Sequence, residues 1–160
     1  MLYARAILQN VAIKQAYKAK AKRGQTAFNL AVADYFKPPV IVSVDLGQLA
    51  NQIGSKITAL VTDNFRVESV KVKIEKANGA LLEEGNAIIQ PDGLNWQYTT
   101  TTANGNTAGN TVSIIATDLP GHSIVSSKYT LHLLSIKPAM INEPQDYVYS
   151  SVMDSQQVKV

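Results

Sequence analysis

Three aspartates and a histidine are the residues of this chain best suited to chemistry. Asp63 follows the run Lys56-Ile57-Thr58-Ala59-Leu60-Val61-Thr62, and Asp118 follows Thr111-Val112-Ser113-Ile114-Ile115-Ala116-Thr117, with His122 four positions on. Asp92 sits inside Pro91-Asp92-Gly93. Carboxylate oxygens gathered on loops are what a hard cation such as calcium needs, so Asp63, Asp92 and Asp118 form the candidate metal set. An aspartate beside a histidine is also the beginning of an acid–base pair. The preferred reading is plainer. Aspartate at a strand end accepts hydrogen bonds from the backbone of its own turn, and no motif pairs a nucleophile with Asp118 and His122. Calcium is therefore not expected, and neither catalysis nor a cofactor is. Glu83 and Glu84 read as solvated acids in a loop, and His132 as a solvent-facing strand residue.

The chain holds no cysteine, which removes disulfides, thiolate nucleophiles and cysteine zinc sites. No Walker loop, zinc-peptidase helix or glycine-rich dinucleotide turn occurs. The composition, 46% hydrophobic and 17% charged, supplies apolar matter for a core and too few charges for a disordered chain. A length of 160 residues fits one domain with attached ends.

Charge is divided unevenly along the chain. The first 24 residues carry Arg5, Lys14, Lys18, Lys20, Lys22 and Arg23 and no acid, for +6. The whole chain sums to +3, so the remainder carries −3 (nine bases against twelve acids). Lys14, Lys18, Lys20, Lys22 and Arg23 make a basic patch, and Tyr17 among them would suit single-stranded nucleic acid. Lysine is also the default residue of a solvated helix face, and cations suit a helix C-terminus. The solvated-face reading is preferred, and nucleic acid is not the expected partner. No apolar run reaches the roughly 18 residues of a membrane span. Arg5, Gln9, Asn10 and Lys14 interrupt any signal-peptide core, so the sequence points to an unexported, cytoplasmic protein.

Three stretches must position these residues. Residues 1–37 read as one or two amphipathic helices. Tyr3, Ile7, Leu8 and Val11 recur at helical spacing, and Gly24 ends the pattern. Thr26 caps a shorter helix presenting Phe28, Val32, Tyr35 and Phe36, which Lys37-Pro38-Pro39 terminates. These eight apolar residues are the candidate interaction surface. Residues 38–134 read as seven short strands at 40–45, 55–62, 66–75, 86–90, 94–102, 110–117 and 124–134, separated by turn residues such as Asn78-Gly79 and Pro120-Gly121. The duplicated motif ending in Thr62-Asp63 and Thr117-Asp118 predicts equivalent strands in two packed sheets, with Ile57, Ala59, Val61, Val112, Ile114 and Ala116 inward. Residues 135–160 read as an extended tail, in which Tyr147-Val148-Tyr149 and Gln157-Val158-Lys159-Val160 suit a sheet edge.

A resemblance follows from these residues. Asp63-Asn64-Phe65-Arg66-Val67-Glu68-Ser69-Val70-Lys71-Val72, continuing to Asn78-Gly79 and Leu81-Leu82-Glu83, is similar to bacterial Ig-like domains. Trp96-Gln97-Tyr98 and Ala116-Thr117-Asp118-Leu119-Pro120-Gly121-His122 add to the likeness, which covers roughly residues 39–134. It implies a seven-stranded immunoglobulin-like Greek-key β-sandwich. The intersheet disulfide of antibody domains is missing, and Trp96 falls on the fifth candidate strand instead of the third. Such sandwiches host many roles, so the likeness speaks to fold alone. If the strands follow that order, Asp63, Asn64, Asp92, Asp118 and His122 gather at one pole, and Pro38-Pro39 delivers the helices there. The functional expectation is a non-enzymatic structural or protein-interaction module, assembling with itself or docking through its helices and sheet edges. Ligand binding at the polar pole, of a carbohydrate or a cation, is the alternative, with nucleic-acid binding by the basic helix as a third.

Overall fold

The structure is a computed structural model that describes residues 2–50, 52–103 and 108–131. Expectations for His132, for the end of the last candidate strand at 132–134 and for the tail at 135–160 lie outside the described residues.

Three helices open the chain: α1 (Leu2–Ile7), α2 (Val11–Lys20) and α3 (Ala27–Tyr35). The sequence reading of one continuous helix from Leu2 to about Lys22 is corrected at Asn10. Its backbone leaves the helical region, and its side chain accepts a hydrogen bond from Ile13 N, so it caps a new helix. The Tyr3–Ile7–Val11 stripe is thereby cut, and Val11 stands exposed. Thr26 caps α3 as the sequence predicts, its hydroxyl accepting from Asn29 N.

Nine strands follow among the described residues, all paired antiparallel in two sheets. They are β1 (Val40–Asp45), β2 (Lys56–Thr62), β3 (Val67–Glu75), β4 (Leu81–Asn86), β5 (Ile88–Ile89), β6 (Asn95–Thr99), β7 (Thr111–Asp118), β8 (Ser123–Val125) and β9 (Tyr129–Thr130). One sheet has the order β1-β2-β6-β5 and the other β4-β3-β7-β8, with β9 also on β7. Two features raise the count above the seven expected. Residues 81–85, where no strand was expected, form most of β4, and the candidate strand at 86–90 holds only the end of β4 and then β5 in the other sheet. Ala87 lies between them, where the chain changes sheet while its N–H still bonds Val70 O. The last candidate strand is also divided. Val125 pairs with Ile115 and Tyr129 with Val112, four steps against three, so one extra residue bulges out. Ser126 Oγ accepts the Ile114 N–H at that bulge.

Alternation explains the core. The inward positions of β2 (Ile57, Ala59, Val61), β3 (Val70, Val72, Ile74) and β7 (Val112, Ile114, Ala116) are all buried, with Val44, Trp96 and Tyr98. Both sheets contribute to this one apolar cluster, so they pack face to face. The six inward residues expected from the duplicated motif are all there.

A second cluster joins the helices to the sandwich. Ala4, Tyr17, Leu30, Ala31 and Phe65 are buried together, and Ile7, Leu8, Ile13, Val32 and Leu119 pack against them. Phe65 belongs to the β2–β3 turn and Leu119 to the β7–β8 turn. Leu119 N–H bonds Arg66 O, tying those two turns together. The helices therefore cap one pole of their own sandwich.

Candidate functional site

The cap and the pole meet around a buried carboxyl cluster. Leu30, Ala31 and Asp34 occupy the inward face of α3 at helical spacing, and all three are buried. Tyr17, from the inward face of α2, donates its hydroxyl to Asp34 Oδ2 at 2.6 Å. Tyr3 Oη lies 3.3 Å from Tyr17 Oη. The Tyr17 ring stacks on Phe65 with centroids 3.7 Å apart, and Lys20 Nζ donates to Phe65 O. α2 thus holds one turn of the sandwich by a ring face and an ammonium, and its phenol ties it to α3.

The sandwich contributes two further acids. Asp63 Oδ2 accepts from Phe65 N at 2.7 Å and Arg66 N at 2.8 Å. Asp118 Oδ1 accepts from His122 N at 2.6 Å, and His122 Nδ1 lies 3.2 Å from Asp118 Oδ2. Each aspartate closes its own turn. Asp63 also comes within hydrogen-bonding reach of Asp34, with Asp118 close enough to act on Asp34 by its charge. Asp34 Oδ1 and Asp63 Oδ1 are buried with no donor while both acids are ionised. Two facing carboxylates have only acceptors to offer, so a proton on one supplies the missing donor. Burial pushes the Asp34 carboxyl up to about 6, the charges of Asp63 and Asp118 push the same way, and the Tyr17 hydrogen bond opposes them. Burial likewise raises Tyr17, so its phenol stays a donor.

Asp92 stands apart from this cluster. It is exposed and closes the β5–β6 turn, its Oδ1 accepting from Leu94 N and Asn95 N and its Oδ2 from Asn95 Nδ2. Among the described residues, no group of three or more histidine, aspartate or glutamate side chains is placed to hold a metal ion.

The candidate interaction residues divide into two sets. Tyr3, Ile7, Leu8, Val32 and Tyr35 are half-buried, and Tyr35 packs edge-on against Phe36 and His122. Val11, Phe28 and Phe36 are more open to solvent, at 71%, 38% and 69% exposure. Of the basic patch, Lys14, Lys18, Lys22 and Arg23 are exposed, while Lys20 is drawn to Phe65. Tyr17 is fully buried and gives nucleic acid no ring to stack on. Between α1, α2 and the start of α3 runs an open groove of about 790 Å3, floored by Ala4, Leu8 and Ala27 and edged by Arg5, Lys14 and Lys18.

Sequence reasoning passed over Asp34 altogether. Its signal was present, because an acid four positions after Leu30 and three after Ala31 falls on the face that turns inward. Glu83 is corrected too: it lies in β4, buried, not in a solvated loop. Its Oε2 accepts from Thr101 N, Thr101 Oγ1 and Thr102 N, fastening the connection after β6. Beside it Gly85 makes room for Tyr98, whose Cε2 would lie 2.6 Å from any added Cβ.

No protein-family model matches the chain, and no curated protein matches it. Among solved structures, the chain is similar to a crystallised engineered protein at 20% identity and a TM-score of 0.33. That match covers 56% of this chain and 19% of the other, so the chain spans about a fifth of that protein's length.

Proposed function

We propose that the chain is a non-enzymatic, immunoglobulin-like interaction module that assembles or docks through the outer face of its helical cap. The Ig-like reading is supported by the strand order, β1-β2-β6-β5 facing β4-β3-β7-β8, which suits a Greek-key sandwich of that kind. The non-enzymatic reading is supported by where the reactive side chains point. Tyr17 is engaged with Asp34 and Asp118 with its own turn and His122, and Tyr17, Asp34 and Asp118 are all buried.

One observation carries the docking reading. The cap satisfies its inner face on its own sandwich and still shows Leu2, Val11, Phe28 and Phe36 to solvent, beside cations. Burying a side chain of that size is worth ~1.5–3 kcal/mol, which a partner surface would recover. The chain's own copy is the first partner to test. Light scattering during size exclusion, across a range of concentrations, is expected to show mass rising with concentration. Val11→Asp with Phe36→Asp is expected to return a folded monomer. A wild-type chain that stays monomeric at high concentration would remove self-assembly and leave docking to a different protein.

A further inference from the structure

We propose that the groove between α1, α2 and α3 binds a short acidic peptide segment that presents a bulky apolar anchor. The proposal rests on the cap being the docking face, and it names the partner chemistry that face would take.

The charge pattern comes first. Asp34 is the only carboxylate in the first 37 residues, and it is buried against Tyr17. Every charge on the solvent face of the cap is therefore positive. Arg5, Lys14 and Lys18 edge the groove, and none of them has a salt-bridge partner among the described residues. The sandwich behaves differently. Arg66 pairs with Glu68, Lys71 with Glu84, and Lys73 and Lys128 with Glu75. Lys14 and Lys18 lie one helical turn apart, where like charges repel, and an anionic partner relieves that repulsion.

The shape of the groove selects among anions. Its floor is carbon, from Ala4, Leu8 and Ala27, with Phe28 at the side. A floor of this kind takes an aliphatic or aromatic side chain, while the cations at the edge fix the acids flanking it. Nucleic acid asks for several exposed rings between its cations; Tyr3 is packed on Tyr35 and Tyr17 is buried against Phe65, which leaves Phe28 as the single ring lining the groove, enough for one anchor and too few for a run of stacked bases. A lipid surface asks for a convex apolar face, whereas this feature is concave.

The test uses the full chain and a fluorescein-labelled peptide of glutamates flanking one tryptophan, read by anisotropy. Binding is expected with a Kd on the order of 10–100 μM. It should weaken roughly tenfold from about 50 to about 300 mM salt, because the pairs are solvent-exposed. Lys14→Glu with Lys18→Glu should weaken it more than about tenfold. That variant should instead bind a peptide in which lysine replaces glutamate, which shows that it is folded. Phe28→Ser should weaken binding severalfold without changing the salt dependence, and Lys76→Glu, on the sandwich, should leave it unchanged. The proposal is overturned if the acidic peptide fails to bind the wild-type chain or binds the double variant equally well. Tighter binding of an oligothymidine or of anionic phospholipid vesicles, lost in the same double variant, would overturn it in favour of a phosphate ligand. If concentration-dependent assembly persists while the peptide fails, only this inference falls and the cap remains the docking face.

Discussion

Tyr17 donates its phenol to Asp34 across 2.6 Å with both side chains fully buried, and this bond joins α2 to α3 directly above the β2–β3 turn. Asp34 in turn faces Asp63 of that turn. A tyrosine, an acid from a helix and an acid from the sandwich form one continuous polar line through an apolar contact. Such a line stabilises when every member has a partner and destabilises when one does not.

Protonation decides which of these holds. Asp34 has a folded pKa of about 6 against an ordinary 3.8. Below about pH 4 the acid is protonated in both states, and its contribution to stability is complete. As pH rises through about 6 the folded state loses the proton too, leaving two facing carboxylates, at a cost on the order of 1–3 kcal/mol. Asp34→Asn keeps an acceptor for Tyr17 and supplies a donor toward Asp63. It is expected to raise stability by about 1–3 kcal/mol at pH 7.5 and change it little at pH 4. Denaturant melts of both chains at the two pH values measure this. Glu75 and Asp92, both held low by their hydrogen-bond donors, favour folding in the opposite direction, so the difference between the chains is the readout.

Tyr17→Phe keeps the stack on Phe65 and removes only the donor. The expected cost is about 1.5–3 kcal/mol, the range for a hydrogen bond to a charged group. Because that bond holds the Asp34 pKa down, its loss should also move the pH-dependent fall in stability to higher pH. A variant as stable as wild type at pH 7.5, with the same pH profile, would show that the bond contributes nothing.

Glu83 governs a different contact. Its Oε2 takes three donors from Thr101 and Thr102, so Glu83→Ala should cost about 2–3 kcal/mol and Glu83→Gln less. Amide exchange at Thr101 and Thr102 should quicken in both variants. Unchanged exchange there would mean that the connection is held by other groups.

The sandwich was legible because its signals are local and redundant. Val70, Val72 and Ile74 alternate, and the motif ending at Asp63 repeats at Asp118, so a single misread residue changes little. Turn aspartates were legible for the same reason, each bonding two to four residues ahead. What escaped was set by tertiary contact. Asp34 and Tyr17 belong to one face only once α2 and α3 are brought together, and Glu83 finds its donors 18 and 19 positions away. The break at Asn10 was missed because the apolar residues run on at helical spacing through it, while an asparagine cap is a single polar side chain in an alanine-rich run. The long helix drawn through it carried Val11 to the wrong surface.

Docking through the outer face requires that the cap lie on its own sandwich. The absence of cysteine makes this directly measurable. Lys20→Cys and Arg66→Cys, introduced together, place one thiol on α2 and one beside Phe65, the residue Lys20 contacts. A short bismaleimide applied to dilute protein, followed by intact mass and peptide mapping, reads where the bridge forms. A cap seated on its own sandwich gives one cross-link within a single chain, formed equally well at every dilution. Cross-links found only between two chains, and lost on dilution, would contradict it.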